Sequence, residues 1–293
     1  MAGMDETSTT FLSDADGMTI QATCWSPGVE PRAVVHIAHG MGEHSARYAR
    51  FAKALTDAGY IVYTSDHRGH GRTAGSGERH GDLGEGGWQA LVDDVGQLGR
   101  IARADNPGKK FALIGHSMGS FAAQQWVLDH SEDLDALVLS GSTAVDVIAA
   151  QLNPSAETDL SAFNEPFGDR TDFEWLSRDE AEVDRYVADE ACGFGLNPAG
   201  TGGMIEGAML TGQPERLDAI RKDLPILIAS GDADPLAAGG DLIRLLESRY
   251  RDAGLTDVTV ELYAEARHEI LNETNRDEVT GDILAFLDRT IGR

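Results

Sequence analysis

The sequence predicts an α/β fold, in which the strands of a parallel sheet alternate with helices that pack on its faces. Two observations predict it. Strand and helix patterns alternate along most of the 293 residues, and a Gly-His-Ser-Met-Gly motif at 115–119 stands between a predicted strand and a predicted helix. Because 41% of the residues are hydrophobic, the chain can also fold around one large core.

The first half of the chain contains five predicted strands and three predicted helices. Short apolar or alternating runs bounded by turn residues predict strands, and apolar residues at helical spacing predict helices. The strands are 19–25, 33–38, 60–65, 111–114 and 134–139, and the helices are 46–58, 88–104 and 118–129. Strand–helix–strand units of this kind are typical of a parallel sheet.

The alternation stops between about 142 and 223 and then resumes. Strands are predicted at 225–230 and 258–263, and helices at 241–250 and 278–289. We therefore expect a core formed by 1–141 and 224–293, with a helical cap, or lid, inserted at 142–223.

Two local patterns lie inside the predicted cap. Ser177 and Glu180 have the spacing of a capping box, which predicts a helix start at this point. The glycine-rich run 193–203 predicts a loop, either a mobile connection or an ordinary one.

The charge of the chain excludes several kinds of partner. Asp and Glu number 49 against 24 Lys and Arg, a net charge of −25 that repels nucleic acid and anionic headgroups. We therefore predict no nucleic-acid partner. No apolar run approaches the roughly 20 residues of a membrane-spanning helix, so we predict no stable membrane insertion and at most a transient contact with a lipid interface. The sequence makes no prediction of oligomeric state.

The two cysteines, Cys24 and Cys192, cannot form a disulfide framework. The start of the chain has no basic stretch followed by an apolar one, as a secretory signal would. We therefore predict free thiols and a cytoplasmic protein.

The motif at 115–119 makes Ser117 the candidate nucleophile. A strand that turns sharply into a helix holds the central serine in a strained conformation, and only small flanking residues fit there. The helix that follows directs its positive end at the reacting centre.

A serine nucleophile needs a base to remove its proton and an acid to orient that base. His268 follows a late predicted strand and is the only histidine after His130, so it is the candidate base. Asp232 and Asp234 both stand just beyond the strand at 225–230. We favour Asp234 as the acid, and Asp232 would then be a turn residue.

Acyl transfer also needs two amides to stabilise the oxyanion. The loop His39-Gly40-Met41-Gly42-Glu43-His44 follows an early strand, and its glycines permit close approach to a substrate. We assign the backbone amides of Met41 and Met118 to the oxyanion hole, with Gly40 and His116 as substrate contacts. We predict no cofactor.

The segment Asp66-His67-Arg68-Gly69-His70-Gly71 could also indicate a metal site. It lacks the helical i,i+4 histidine pair of zinc hydrolases, and Arg68 would oppose a bound cation. We therefore predict no metal here and expect the segment to brace the loops around Ser117.

These motifs resemble the α/β-hydrolase superfamily, and most closely its monoacylglycerol lipase and lysophospholipase-like branch. The resemblance covers nearly the whole chain and includes Arg47-Tyr48, Arg267-His268-Glu269 and Asn272-Glu273. It implies an eight-stranded, mostly parallel sheet with one antiparallel strand near the start and a helical cap after the strand that ends near Leu139. The family's Gly-x-x-Asp motif falls on 231–234, which implies Asp234 as the acid.

The resemblance implies a serine ester hydrolase that acts on a small-molecule ester or lipid. A monoacylglycerol lipase is the favoured activity. A short-chain carboxylesterase, a lysophospholipase, a peptidase or amidase and a non-catalytic ligand-binding homologue are the alternatives. Phe163 and Trp175 are candidate acyl-binding residues of the cap, although they could equally form its own core. The other candidates are Phe167, Phe173, Leu176, Phe194 and Met204.

Overall fold

An eight-stranded sheet runs through the protein, which is described by a computed structural model over residues 4–292. Its strands are β1 Asp5–Leu12, β2 Thr19–Ser26, β3 Val34–Ala38, β4 Ile61–Ser65, β5 Phe111–His116, β6 Ala136–Ser140, β7 Ile226–Gly231 and β8 Val258–Tyr263. Their order is β1-β2-β4-β3-β5-β6-β7-β8. Strand β2 runs in the direction opposite to that of the other seven strands. The predicted eight-stranded, mostly parallel sheet is confirmed.

Helices cover both faces of this sheet. They are α1 Ala49–Asp57, α2 Gly71–Ala74, α3 Gly87–Asp105, α4 Met118–His130, α5 Val145–Ala149, α6 Glu180–Val187, α7 Pro198–Thr211, α8 Pro214–Leu217, α9 Asp241–Asp252 and α10 Arg276–Thr290. Neighbouring strand residues such as Val34 and Val35 point to opposite faces. One apolar core therefore packs against α3, α4 and α9, and the other against α1 and α10.

The sequence patterns did not predict β1. Its residues are mostly polar, and all but one of its side chains are exposed, because it is the edge strand of the sheet. The hydrophobic alternation that predicts a half-buried strand is therefore missing here. The other seven strands, and α1, α3, α4, α9 and α10, lie within a few residues of their predicted positions.

Residues 141–225 connect β6 to β7, and we call them the insertion. They contain α5 to α8 and two short 3₁₀ helices, Leu160–Phe167 and Glu174–Leu176. The helical content of the predicted cap is therefore confirmed, whereas its division from the core at 142 and 223 stays a prediction.

The predicted capping box at Ser177 is wrong. Asp179 is the N-cap of α6, and its carboxylate accepts a hydrogen bond from the amide of Ala181. The Ser177 hydroxyl instead donates to the carbonyl of Asn272, 2.9 Å away, which ties the insertion to the core.

The loop predicted at 193–203 is also wrong over its second half, because α7 begins at Pro198. Asn197 caps this helix by accepting from the amide of Gly200, and proline fits the first helical position. The helix packs on α3 and α4, and a Cβ added at Gly207 would collide with Trp88 and Gln125. Gly203 likewise lies against Trp88, so these two glycines permit close helix packing.

Two further expectations concern the whole chain. Cys24 and Cys192 are both free thiols, as predicted. Within residues 4–292, no helix combines the length and the apolar character that crossing a membrane requires.

Candidate active site

Ser117 occupies the sharp turn between β5 and α4. Its backbone has φ 51° and ψ −122°, a conformation that side-chain-bearing residues rarely adopt. The turn places the serine at the amino end of α4, whose positive dipole end stabilises negative charge nearby. The predicted strand–turn–helix around Ser117 is therefore present.

His268 and Asp234 meet beside this turn. Nδ1 of His268 lies 2.8 Å from Oδ2 of Asp234, and both side chains are almost fully buried. The other oxygen of Asp234 accepts from the amide of Leu236. Asp232 is the turn residue instead, because its carboxylate accepts from the amide of Glu265 at 2.6 Å. Of the two aspartates, only Asp234 contacts His268.

The surroundings of His268 adjust its proton affinity. Burial opposes its charged form, but the charge and hydrogen bond of Asp234, helped by Glu269 and Glu43, outweigh burial and raise the pKa of His268. Burial, reinforced by the nearby His268, lowers the pKa of His116 to about 4. His116 is therefore neutral near pH 7, and its ring centroid is 5.0 Å from that of His268.

Residues 39–44, which we call the β3 loop, lie against Ser117. A Cβ added at Gly40 would stand 2.8 Å from Oε1 of Glu43 and 3.1 Å from the Cβ of Ser117, so glycine suits this close approach. The Gly40 amide donates to Oε1 of Glu43 at 2.6 Å, which fixes the loop. Among the described residues, the amides of Met41 and Met118 donate to no protein acceptor.

A buried ion cluster connects the β3 loop to the residue after His268. Arg47 donates to Glu43 at 2.7 Å and to both oxygens of Glu269 at 2.5 and 2.8 Å. Its guanidinium also lies 4.8 Å from the ring centroid of Tyr186 in the insertion. Sequence reasoning noted Arg47 and Glu269 as motif residues but missed their pairing, because 222 positions separate them.

The segment at 66–71 braces the β3 loop, as the sequence analysis expected. Asp66 accepts hydrogen bonds from the amide and the hydroxyl of Ser45. The His67 amide donates to Nε2 of His39 at 2.9 Å. Arg68 is fully buried and pairs with Asp94 and Asp16 at 2.9 Å each, so it is held away from Ser117.

The insertion covers Ser117 and leaves little space above it. The cavity at Ser117 and His268 has a volume of about 20 Å³, room for about one water molecule. Four side chains of the insertion help to enclose it: Leu160, Trp175, Leu176 and Tyr186. The carbonyls of Trp175 and Leu176 accept from the amides of His268 and Glu269, so this part of the cover is fastened to the core.

The candidate acyl-binding residues do not all lie at this cavity. Trp175 lies directly against His268, with ring centroids 4.7 Å apart. Phe163 packs behind it, 5.1 Å from the Trp175 ring. Phe194 stacks on His80 instead, and Met204 belongs to the core beneath α7.

The sheet order and the strained serine turn are those of the α/β-hydrolase fold, a class in which hydrolytic residues follow the carboxyl ends of strands. The family model described as "Serine aminopeptidase, S33" matches residues 29–275. A monoacylglycerol lipase of Mycolicibacterium smegmatis is 32% identical over 92% of this chain and 93% of its own. For the monoglyceride lipase of Homo sapiens the identity is 29%, over 93% and 86%.

A solved structure shares the fold of this chain. A carboxyl esterase from Bacillus coagulans superposes with a TM-score of 0.87 at 27% identity, covering 99% of this chain and 100% of that one. The chain belongs to the α/β-hydrolase family of monoacylglycerol lipase-like proteins, and it is an enzyme, a serine ester hydrolase.

Proposed function

We propose that the enzyme is a monoacylglycerol lipase that hydrolyses glycerol monoesters through an acyl-enzyme on Ser117. The observation that carries this proposal is that Ser117 and His268 line one cavity beneath an apolar cover, while Asp234 pairs with Nδ1 of His268 from behind. The relatives named as monoacylglycerol and monoglyceride lipases, aligned over nine-tenths of the chain, support the same activity.

The proposed reaction has two steps and needs no metal or cofactor. His268 takes the proton of the Ser117 hydroxyl while the serine oxygen attacks the ester carbonyl. The amides of Met41 and Met118 stabilise the oxyanion, each worth about 3 to 4 kcal/mol. His268 then gives its proton to the departing glycerol oxygen. Water, activated by His268, releases the fatty acid and restores Ser117.

An apolar cluster over the cavity suits an acyl chain. Leu160, Trp175, Leu176 and Tyr186 form its buried part, and partly buried hydrophobic side chains pack against it: Met41, Phe163, Phe167, Phe173 and Cys192. Burying an acyl chain here would contribute about 0.8 kcal/mol for each methylene group. Phe163 would act from behind Trp175 rather than at the reacting ester.

The insertion must open for such a substrate, because about 20 Å³ cannot hold a monoacylglycerol. Leu160 lies between the cavity and the surface. It lines the cavity on one side and a surface groove of about 480 Å³ on the other. We assign Leu160 as the gate, since Trp175 and Leu176 are held by hydrogen bonds to the loop of His268.

The groove outside this gate favours an uncharged headgroup. Its lining includes the acidic residues Glu157, Asp159 and Asp172, and the chain as a whole carries −25. An anionic lysophospholipid would be repelled on entry. The neutral glycerol ester is therefore favoured over the phosphate-bearing one.

The same site argues against an aminopeptidase, despite the description of the family model. An aminopeptidase needs a free carboxylate to bind the substrate ammonium group. The two carboxylates that line the cavity, Glu43 and Glu269, are both paired with Arg47.

The proposal is tested by comparing kcat/KM for a long-chain monoacylglycerol, a butyrate ester, an anionic lysophospholipid and an amino-acid anilide. The Ser117→Ala variant is the blank. We expect the monoacylglycerol to be the best substrate and the anilide to remain intact. Turnover of the butyrate ester alone would make the enzyme a short-chain carboxylesterase, and no turnover at all would leave a ligand-binding homologue.

A further inference from the structure

A cluster of metal-binding side chains lies outside the candidate active site, where the insertion meets the β3 loop. Nε2 of His44, a carboxylate oxygen of Asp189 and Sγ of Cys192 all lie within 4.8 Å of one another. Nε2 of His44 and Oδ2 of Asp189 are 2.9 Å apart. None of the three is a reacting group of the proposed hydrolysis, and Cys192 packs at the edge of the apolar cluster.

We propose that His44, Asp189 and Cys192 bind a zinc ion that fastens the insertion to the β3 loop and holds the enzyme closed. Imidazole nitrogen, carboxylate oxygen and thiolate sulfur are the three donor types that zinc prefers. Three protein ligands with one open position make a recognised zinc geometry.

The ligand atoms, which lie within 4.8 Å of one another, must move by up to about 1.4 Å to reach tetrahedral spacing. Ligand atoms about 2.0 to 2.3 Å from a tetrahedral zinc ion lie about 3.4 to 3.6 Å from one another. The side chain of Asp189 is 38% exposed and can turn towards the ion. In the absence of zinc, Nε2 of His44 donates its proton in a hydrogen bond to the Asp189 carboxylate. On binding, zinc takes the place of this proton, which is released to Nδ1 or to solvent, and the Cys192 thiol releases one proton to solvent.

The insertion holds its two ligands ready in a tight turn. The Ala191 amide donates to the carboxylate of Asp189, and the Cys192 amide donates to the Asp189 carbonyl, each at 2.9 Å. The next amide, that of Gly193, donates to the carbonyl of Gly42 in the β3 loop at 2.9 Å. The turn therefore already rests on the loop that carries His44.

An adjoining cavity provides the fourth coordination position. It has a volume of about 480 Å³, and its lining includes His44, Asp189, Glu190 and His80. A water molecule, or the carboxylate of Glu190, could complete the tetrahedron from this side. The ion would also be reached from solvent through this cavity.

Because one ligand lies on the β3 loop and two lie on the insertion, bound zinc opposes the opening that a lipid substrate needs. Zinc should therefore inhibit ester hydrolysis reversibly. The binding is independent of the proposed function, whereas the inhibition rests on it.

The binding test uses the full-length protein, freed of metal, and cobalt(II) as a spectroscopic probe. Thiolate ligation gives an intense near-ultraviolet charge-transfer band that other ligands do not give. We expect one equivalent of cobalt to produce the band and one equivalent of zinc to remove it. Cys192→Ser should abolish the band, and Cys24→Ser, which changes the other free thiol, should leave it intact.

Two near-isosteric variants distinguish the loss of a zinc ligand from the loss of the fold. His44→Gln and Asp189→Asn, checked by thermal unfolding, should each weaken zinc binding by more than about tenfold in equilibrium dialysis. Absence of the charge-transfer band, or zinc binding unchanged in all three ligand variants, would overturn the site.

Ester hydrolysis then tests the clamp. Zinc should inhibit the wild type and Cys24→Ser, a chelator should restore activity, and Cys192→Ser should be insensitive. Stoichiometric zinc binding without inhibition would retain the site and overturn the clamp. If the enzyme hydrolyses no ester, the cobalt spectrum still decides the site by itself.

Discussion

The loops at the strand ends and the insertion meet at the same cavity, but different secondary structure supports them. Ser117, Asp234 and His268 follow β5, β7 and β8, and their neighbours are buried strand residues. The insertion reaches the same cavity with residues of its short 3₁₀ helices. The groove on its outer side is lined by acidic residues. Under the proposed mechanism, the sheet therefore positions the reacting groups, whereas the insertion controls access and substrate choice.

The largest expected effect concerns the strand-end loops. Asp234→Asn should lower kcat by about 10⁴-fold, because His268 loses the carboxylate that orients it and stabilises its charged form. It should also lower the pKa of His268, since Asp234 is the main group that raises it. The kcat of each variant, measured against pH, tests both effects.

Asp232→Asn is the matched control, because that carboxylate only accepts from the Glu265 amide. It should keep near-wild-type kcat and the same pH profile. A severe loss in Asp232→Asn with none in Asp234→Asn would reverse the assignment.

The next effect tests the junction of the two regions. Arg47→Ala leaves Glu43 and Glu269 buried without their cation and should reduce the free energy of unfolding by about 3 to 5 kcal/mol. Lys53→Ala, which breaks an exposed pair with Asp57, should change it by less than about 1 kcal/mol. Urea unfolding measures both. Equal small losses would show that the buried cluster does not hold the junction together.

Low pH should reduce the free energy of unfolding, because protonation of buried histidines favours the unfolded chain. His36 on β3 is fully buried, burial lowers its pKa to about 3, and its ring nitrogens have no partner among the described residues. The unfolded chain binds this proton below about pH 6.5 and the folded protein does not, so stability falls as the pH drops from 6.5 towards 3. At pH 5 the loss due to His36 is about 2 kcal/mol.

The His36→Leu variant isolates this contribution. The difference in unfolding free energy between pH 7 and pH 5 should be smaller in the variant than in the wild type by about 2 kcal/mol. His70 and His116 keep part of the pH dependence, since burial lowers the pKa of each to about 4. An unchanged pH dependence in the variant would contradict the role of His36.

The smallest effect concerns the gate. Leu160→Ala should raise kcat/KM for long-chain monoacylglycerol a few-fold and leave the rate with a butyrate ester nearly unchanged. Leu152→Ala, a similar truncation elsewhere in the insertion, is the control. An equal gain for both substrates would mean that Leu160 does not select the acyl chain.

The sequence predicted which residues meet at the strand ends, because each motif is local. The turn at Ser117 and the loop after β3 need particular residues within about five positions, so their patterns are visible in one chain. Strand β1 escaped detection because an exposed edge strand needs no apolar face. Helix α7 was not predicted because its glycines suggest a loop, whereas Gly203 and Gly207 in fact permit close contact with Trp88, which lies far away in the sequence.

The sequence also could not predict the contacts between the insertion and the core, because the contacting residues lie far apart along the chain. Glu269 pairs with Arg47 across 222 positions, and His44 meets Asp189 across 145. Both pairs depend on the folded path of the chain rather than on any local pattern. The closed cover above Ser117 likewise depends on packing between distant residues, so no local pattern in the cap predicts it.

Ser117 is the proposed nucleophile on which every later step of the reaction depends, and covalent labelling tests this role directly. The active enzyme is treated with a serine-reactive fluorophosphonate, and the modified peptide is located by mass spectrometry. We predict one adduct per chain, on Ser117, with parallel loss of ester hydrolysis, and no adduct in Ser117→Ala. An adduct on another residue, or full activity in Ser117→Ala, would contradict the account.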